Sequence, residues 1–148
     1  MIDFQNEDAK WAWLAGIVEG EGCLNLAISK TKTGKWSYHA QFVISNNSLE
    51  ILENVQQVVE NGGQIYKVKI RGNQIQPYQF FINSRSRLLE VLHFLMPFLI
   101  TKKRQAQLLI EFQNLTQHYK GKSSRAHEIY LEMRKLNQKY RRISSAIK

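Results

Sequence analysis

Residues 14–22, which read Leu-Ala-Gly-Ile-Val-Glu-Gly-Glu-Gly, are the stretch of the chain most informative about chemistry. Gly16 and Gly20 are four residues apart and therefore fall on one face of a helix. Glycine destabilises a helix by roughly 1 kcal/mol relative to alanine, so this pair favours a site where another backbone comes close. The Glu21 carboxylate follows at the end of the helix, where the helix dipole repels it. A bound cation would relieve that repulsion.

Two apolar stripes run along the predicted helix, and a surface helix needs only one. The first stripe predicts contact with the core of the chain and consists of Trp11, Leu14, Ala15 and Val18. The second predicts a dimer interface and consists of Trp13, Gly16, Ile17 and Gly20. If a second copy packs through this stripe, two Glu21 carboxylates meet near the symmetry axis, and such a pair calls for a divalent metal.

Capping residues and hydrophobic periodicity predict the elements that position this segment. Helices are predicted at about 6–20, 48–60, 86–95, 102–119 and 125–142, with a loop at 121–124. Strands are predicted at 24–29, 36–45, 66–71 and 78–83. This order predicts an α+β fold in which a four-stranded antiparallel sheet packs on helices. We expect a single domain over residues 1–148, with its core at about 7–119.

A sheet covered by helices on one face leaves the other face polar. That face is an ordinary solvated surface or a nucleic-acid contact, and alternation alone does not decide between them. Charge favours nucleic acid, because residues 1–66 hold four Lys and Arg against eight Asp and Glu, whereas residues 67–148 hold seventeen against four. The candidate DNA-binding residues are Asn25, Ser29, Ser37, His39, Gln41, Lys67, Lys69, Arg71, Gln79, Phe81, Asn83 and Lys103.

Composition excludes several classes of protein. The single cysteine, Cys23, excludes an intrachain disulfide framework and a cysteine-rich zinc site, and we expect its side chain to be buried and inert. The longest apolar run, residues 88–100, is too short to span a bilayer. The acidic start is unlike a targeting peptide. We expect an intracellular protein without membrane contact; an organelle and a bacterial or phage host both stay open.

Residues 14–22 resemble the motif of LAGLIDADG homing endonucleases, with Glu in place of both Asp residues. Residues 96–106 are similar to the second signature of that family, an apolar-Pro-Phe-Leu stretch followed by Lys-Lys-x-Gln-Ala. Residues 42–47 are similar to its strand-end segment, where the family commonly has Ser-Gln. The resemblance covers residues 9–115 approximately. One motif in one chain is typical of the homodimeric type of the family.

The resemblance implies an intron-homing enzyme that cuts both strands of DNA at a long pseudo-palindromic site and leaves short 3′ overhangs. It implies Glu21 as the metal-binding carboxylate, the Gly20 carbonyl as an accessory ligand and Mg²⁺ as the cofactor, with Mn²⁺ or Ca²⁺ as substitutes. It also implies that Lys102 reaches the cleavage site and that Glu19 is structural. Asn46 stands where the family usually has a solvent-positioning Gln, and its side chain is one methylene shorter.

Two other functions stay open at this point. An RNA-splicing maturase of the same fold would bind a host intron RNA, and its splicing would survive Glu21→Gln. A non-catalytic DNA-binding regulator would need neither Glu21 nor Lys102, so the presence of both argues against it. Asn46 is the one site residue that favours a regulator.

Overall fold

The computed structural model describes residues 1–115 and 124–147, and the side chains only as far as residue 138. The helices are α1 (Glu7–Glu21), α2 (Leu49–Val59), α3 (Arg85–Leu95), α4 (Lys103–Asn114) and α5 (Ser124–Ile147), with a 3₁₀ helix at Met96–Phe98. The strands are β1 (Gly22–Lys30), β2 (Trp36–Asn46), β3 (Gly63–Lys67) and β4 (Tyr78–Ile82). They form one four-stranded antiparallel sheet in the order β1-β2-β4-β3, so the predicted α+β fold is confirmed.

Three helices begin at polar capping residues, and two of these caps lie at the predicted helix starts, residues 6 and 48. The Asn6 side-chain oxygen accepts from the backbone N–H of Ala9 at 2.8 Å, which satisfies one of the free donors at the start of α1. Ser48 caps α2 in the same way, and Ser84 caps α3. Each cap fixes where its helix starts, and the Ser48 cap lies beside the end of β2.

Contacts within the chain divide it into two compact units. The first unit combines Met1–Cys23 with Phe42–Lys103, and the second combines Leu24–Gln41 with the described residues from Arg104 onward. The expectation of a single domain over the whole length stays a prediction. In the described ranges, 1–115 and 124–147, no helix is both long enough and apolar enough to cross a membrane.

The core of the first unit contains the inner stripe of α1. Its four residues are buried as predicted, and the Trp11 ring stacks on Phe94 of α3 with 4.7 Å between ring centroids. In the second stripe Trp13 and Ile17 are only half-buried, and Gly16 is exposed. The chain therefore buries one face of α1 and leaves the predicted interface face open.

The second unit has its own core and its own ion pairs. Its buried side chains come from β1, α4 and α5, and include Leu24, Leu26, Phe112, Ala126, Ile129 and Met133. The Arg125 guanidinium binds the Glu111 carboxylate at 2.7 Å, and Arg104 binds Glu132 at 2.7 Å. Arg104 is therefore engaged within this unit.

The third strand differs from its predicted position. It lies at Gly63–Lys67 instead of 66–71, so the prediction that Lys69 and Arg71 belong to the strand is wrong. The pairing of β3 with β4 ends where Lys67 lies opposite Tyr78. Val68 N–H still donates to the Pro77 carbonyl at 3.1 Å, but proline has no N–H to return. The ladder therefore stops there.

Smaller differences concern single residues and ends. Cys23, which the sequence predicts to be buried, is exposed. Helix α5 is longer than predicted. The end of the helix predicted at 102–119 and most of the loop predicted at 121–124 lie outside the described residues.

Gly22 is the glycine of residues 14–22 that the fold itself requires. A Cβ at this position would lie 2.7 Å from the carbonyl oxygen of Val18 and 2.8 Å from its Cα. The backbone angles of Gly22, φ −82° and ψ 151°, are ones that alanine adopts freely, so the collision is the whole cost.

We expect Gly22→Ala to lower the free energy of unfolding by about 1–3 kcal/mol, because the added methyl overpacks the end of α1. Urea denaturation measures this loss. Gly20→Ala is the matched control, because a Cβ at position 20 would meet nothing within 4 Å. Equal losses in the two variants would contradict the interpretation.

Candidate functional site

The end of α1 places Glu21 at an open cleft in the first unit. The cleft has a volume of about 370 Å³ and is lined by Glu21, Ser45, Asn46, Asn47 and Pro77. The pairing of β2 with β4 positions its other wall, since Ser45 lies opposite Gln79 and Asn46 lies opposite Tyr78. The Gln79 amide donates to the Ser45 hydroxyl at 3.2 Å. Pro77 comes from a distant part of the sequence, and only the strand pairing brings it here.

Asn46 connects Glu21 to the start of α2. Its amide nitrogen donates to the Glu21 carboxylate, and its amide oxygen accepts from the backbone N–H of Ser48 at 2.7 Å. A backbone N–H can only donate, so the oxygen of the amide must face Ser48 and the nitrogen must face Glu21. The structure thus brings together two of the three residues predicted to be catalytic.

Lys102, the third predicted catalytic residue, binds the backbone at the end of α1. Its ammonium donates to the carbonyl oxygens of Val18 at 2.7 Å, Glu19 at 3.1 Å and Gly22 at 2.5 Å. An ammonium has three N–H donors, so each of them has a carbonyl acceptor. Burial lowers the pKa of Lys102, and the negative charge of Glu19 opposes that shift. No pattern in the sequence predicts these carbonyl contacts.

Glu19 makes the complementary contacts from α1. Its carboxylate accepts from the backbone N–H groups of Ile100 at 2.6 Å, Thr101 at 3.3 Å and Lys102 at 3.2 Å, and from the Thr101 hydroxyl. Burial acts to raise the pKa of Glu19, but the Thr101 hydroxyl and the backbone N–H groups outweigh it and hold the pKa below its usual value. These contacts fit the structural role expected for Glu19.

Glu19, on α1, therefore binds the backbone N–H groups of the segment that contains Lys102. Lys102 in turn binds the backbone carbonyls of the segment that contains Glu19. We call this set of contacts, between Val18–Gly22 and Ile100–Lys102, the reciprocal cap. The carbonyls at a helix C-terminus carry partial negative charge and attract the ammonium, while the free N–H groups ahead of α4 attract the carboxylate. The reciprocal cap holds the backbone on both sides of Glu21 in place.

Glu21 and the Gly20 carbonyl are oxygen donors of the kind that Mg²⁺ prefers. Within residues 1–115 and 124–147, no group of three or more His, Cys, Asp or Glu side chains could hold a metal ion. Among the same residues Glu21 forms no salt bridge, and its side chain is exposed. The donors fit a divalent ion, but the described residues offer too few of them to hold one without further ligands.

The face of α1 that carries Gly16 and Gly20 is open. Both residues are exposed, and a Cβ added to either would meet nothing within 4 Å. The chain's own packing therefore gives no reason for glycine at these two helical positions, in contrast to Gly22.

Most predicted DNA-binding residues of the first unit lie on or next to β3 and β4, and Lys103 is the first residue of α4. Gln79 and Phe81 are half-buried on β4, and the Phe81 ring contacts Tyr66 edge to face at 5.6 Å. The others are exposed: Lys67, Lys69, Arg71, Asn83 and Lys103. Two of these five, Lys69 and Arg71, follow the end of β3.

The predicted DNA-binding residues of the second unit lie on β1 and β2. The His39 ring nitrogen Nε2 forms hydrogen bonds with the hydroxyls of Ser29 and Ser37, both at 3.2 Å, so these three side chains form one polar cluster. Asn25 accepts a hydrogen bond from the Asn137 side chain at 3.4 Å, which partly occupies its amide. Gln41 is half-buried.

Some residues of the site were not singled out from the sequence. Ser45 and Asn47 flank Asn46 in the strand-end segment, so the sequence did contain a signal for them. Thr101 contributes a hydroxyl to the reciprocal cap, and the Ser48 backbone orients Asn46. The role of Thr101 depends on a tertiary contact and had no sequence signal, whereas the contact between Asn46 and Ser48 is a local Asx turn.

Comparison with known proteins gives a family and a fold. The model of the family described as LAGLIDADG endonuclease matches residues 14–112. A search of curated proteins found no match.

Several solved structures are similar to this chain. The homing endonuclease I-CvuI in complex with the I-CreI target has a TM-score of 0.70 and 22% identity, over 89% of this chain and 82% of that chain. Group I intron-encoded I-CeuI complexed with DNA has a TM-score of 0.72 and 20% identity, over 90% of this chain and 69% of that chain. Archaeal intron-encoded I-Vdi141I complexed with DNA has a TM-score of 0.63 and 20% identity, over 90% of this chain and 99% of that chain.

The reciprocal cap yields a prediction about stability. Glu19→Ala leaves the N–H groups of Ile100, Thr101 and Lys102 without their carboxylate acceptor, so we expect the free energy of unfolding to fall by about 1–2 kcal/mol. Urea denaturation measures the change. Glu53→Ala, which removes an exposed carboxylate from α2, should change stability by less than about 0.5 kcal/mol. A Glu19 variant as stable as the Glu53 variant would show that the cap contributes nothing.

Proposed function

This chain belongs to the LAGLIDADG endonuclease family, and we propose that it is a homodimeric, divalent-metal-dependent homing endonuclease. In this proposal it makes double-strand breaks at a long pseudo-palindromic DNA site and leaves short 3′ overhangs. The similar structures of I-CvuI, I-CeuI and I-Vdi141I are complexes with DNA, and the last two are described as intron-encoded, which supports the same class for this chain.

The open glycine face of α1 is the observation that carries the proposal. Gly16 and Gly20 weaken the helix, yet among the residues that the structure describes nothing lies close enough to require them. A second copy packed on this face gives them a purpose, because the two helix backbones can then approach closely. Half-buried Trp13 and Ile17 supply apolar area on the same face. The symmetry of such a dimer would bring the two Glu21 side chains together.

A dimer also supplies the ligands that one chain lacks. Glu21 and the Gly20 carbonyl of each subunit would hold the metal, with Mg²⁺ as the proposed ion and Mn²⁺ or Ca²⁺ as substitutes. Ions held by these residues would supply Lewis-acid charge, which would favour attack by water and departure of the leaving oxygen. I-CvuI complexes were determined in the presence of 2 mM Mg and of 2 mM Ca, which supports the use of a divalent ion.

The residues of the chain have separate tasks in this proposal. Glu21 brings negative charge to the metal, and Asn46 holds a hydrogen bond to that carboxylate. Lys102 provides a positive charge at the end of α1 that favours the charge developing on the phosphate. Because three carbonyls occupy its ammonium, Lys102 acts through its charge and not through a hydrogen bond to the phosphate.

The polar residues of the two units would bind the DNA. In the second unit, His39 with Ser29 and Ser37 offers donors and acceptors of the kind that read base edges. In the first unit, Lys69 and Arg71 are exposed and suit contacts to phosphates. The net charge of +9 per chain supports binding to a polyanion.

The open face predicts opposite effects on stability and activity. We expect Gly20→Ala to raise the free energy of unfolding of the dilute, monomeric chain by about 0.5–1 kcal/mol, because alanine favours the helix. The added methyl should prevent close packing of two helices, so sedimentation should show monomers and cleavage should be lost. Ala12→Gly, on another exposed part of α1, should lower stability and leave the dimer intact. A Gly20→Ala variant that still dimerises would refute the glycine-packed interface.

The catalytic proposal is tested with Glu21→Gln. The wild-type protein with Mg²⁺ should linearise members of a plasmid pool that carries random genomic inserts, and sequencing of the ends gives the target and the overhang. On that target, Glu21→Gln should cut at least about 100-fold more slowly, because it removes the charge that binds the metal. Glu53→Gln is the control for surface charge and should cut normally.

Absence of any Mg²⁺-dependent double-strand break, or normal cutting by Glu21→Gln, would defeat the proposal. Splicing of an intron RNA that survives Glu21→Gln would point to the maturase function instead.

A further inference from the structure

We infer that Asn46 is a positioning residue for Glu21, whose amide orients the carboxylate for metal binding instead of ordering solvent beside the metal. This inference rests on the proposed function, because it concerns how the proposed metal ligand is held. It differs from the role implied by the resemblance, in which this position orders water.

The first step of the argument is that the Asn46 amide is itself fixed. Its oxygen accepts from the Ser48 N–H at 2.7 Å, and Ser48 is the capping residue of α2, with its hydroxyl accepting from Ile51 N–H at 3.4 Å. Asn46 is also paired in the sheet, opposite Tyr78. The strand pair therefore fixes the backbone of Asn46, and the start of α2 fixes its amide, which cannot rotate without losing the Ser48 contact.

The second step is that the fixed amide orients Glu21. The Glu21 side chain is exposed and would otherwise sample many rotamers, which a metal would have to order on binding. The donated hydrogen bond from Asn46 holds the carboxylate in advance. Hydrogen-bond partners of this kind, one shell outside the metal, commonly change metal affinity by 10- to 100-fold.

The third step is that the amide is already committed to two protein partners. Its oxygen accepts from Ser48 and its nitrogen donates to Glu21, so the amide is aimed at the carboxylate, and only one N–H and one lone pair are left for other partners. Asparagine reaches Glu21 while it keeps the Ser48 contact. The longer glutamine would displace the amide from one partner or the other.

The experiment compares Asn46→Ala and Asn46→Gln with the wild-type full-length protein. Calorimetric titration with Mg²⁺ measures binding without any reaction, and the Mg²⁺ dependence of cleavage gives an apparent affinity and a rate at saturation. We expect both variants to bind Mg²⁺ about tenfold more weakly by each measure. Their rates at saturating Mg²⁺ should stay within about twofold of wild type.

The control is Asn61→Ala, which removes an exposed asparagine from the loop after α2 and should leave Mg²⁺ affinity unchanged. Thermal melting confirms that each variant is folded. If Asn46→Ala does not fold, the comparison is made with Asn46→Gln alone.

Two outcomes would overturn the inference alone. One is unchanged Mg²⁺ affinity with a large fall in the saturating rate, which is the result expected for a solvent-positioning residue. The other is Asn46→Gln that matches wild type in both measurements. If the wild-type protein binds Mg²⁺ but does not cut DNA, the proposed function fails, and the calorimetric comparison still decides the role of Asn46. Failure of the wild-type protein to bind Mg²⁺ would overturn both.

Discussion

The exchange of backbone contacts between Glu19 and Lys102 is the constraint on which the functional region depends. A helix that ends with unsatisfied carbonyls next to a carboxylate is electrostatically unfavourable, and α1 ends in that way. The Lys102 ammonium donates hydrogen bonds to these carbonyls, and the Glu19 carboxylate accepts hydrogen bonds from the N–H groups of residues 100–102. Because both ends of the exchange are charged, the position of Glu21 is set by strong and directional contacts.

The glycines of the motif divide into those that serve the chain and those that do not. Gly22 lets the chain turn from α1 into β1 against the Val18 backbone, and any side chain there collides. Gly16 and Gly20 face open space, where any small residue would fit. A motif that looks uniform in sequence thus combines two requirements of different origin. The first is internal to the fold, and the second concerns what binds to its surface.

Much of the fold could be predicted from the sequence, because caps and alternation are local signals. The family match confirms the resemblance that the two signatures suggested. The strand predicted at 66–71 was misplaced because its alternation continues past Lys67, whereas pairing with β4 stops at Pro77. In the site, Glu21 and Asn46 were each singled out from the sequence, and the structure places them in hydrogen-bond contact. The carbonyl contacts of Lys102 join positions about 80 residues apart, so no local pattern could reveal them.

The weakened helix face has a consequence for the abundance of the protein in a cell. Two glycines make α1 less stable in the monomer than it would be with alanines at the same positions. If the chain pairs as proposed, pairing follows mass action, so a scarce polypeptide would stay monomeric and would be more exposed to unfolding and degradation. The amount of competent nuclease would then fall more steeply than the amount of translated product. Such a threshold would protect a genome from stray cuts at low expression.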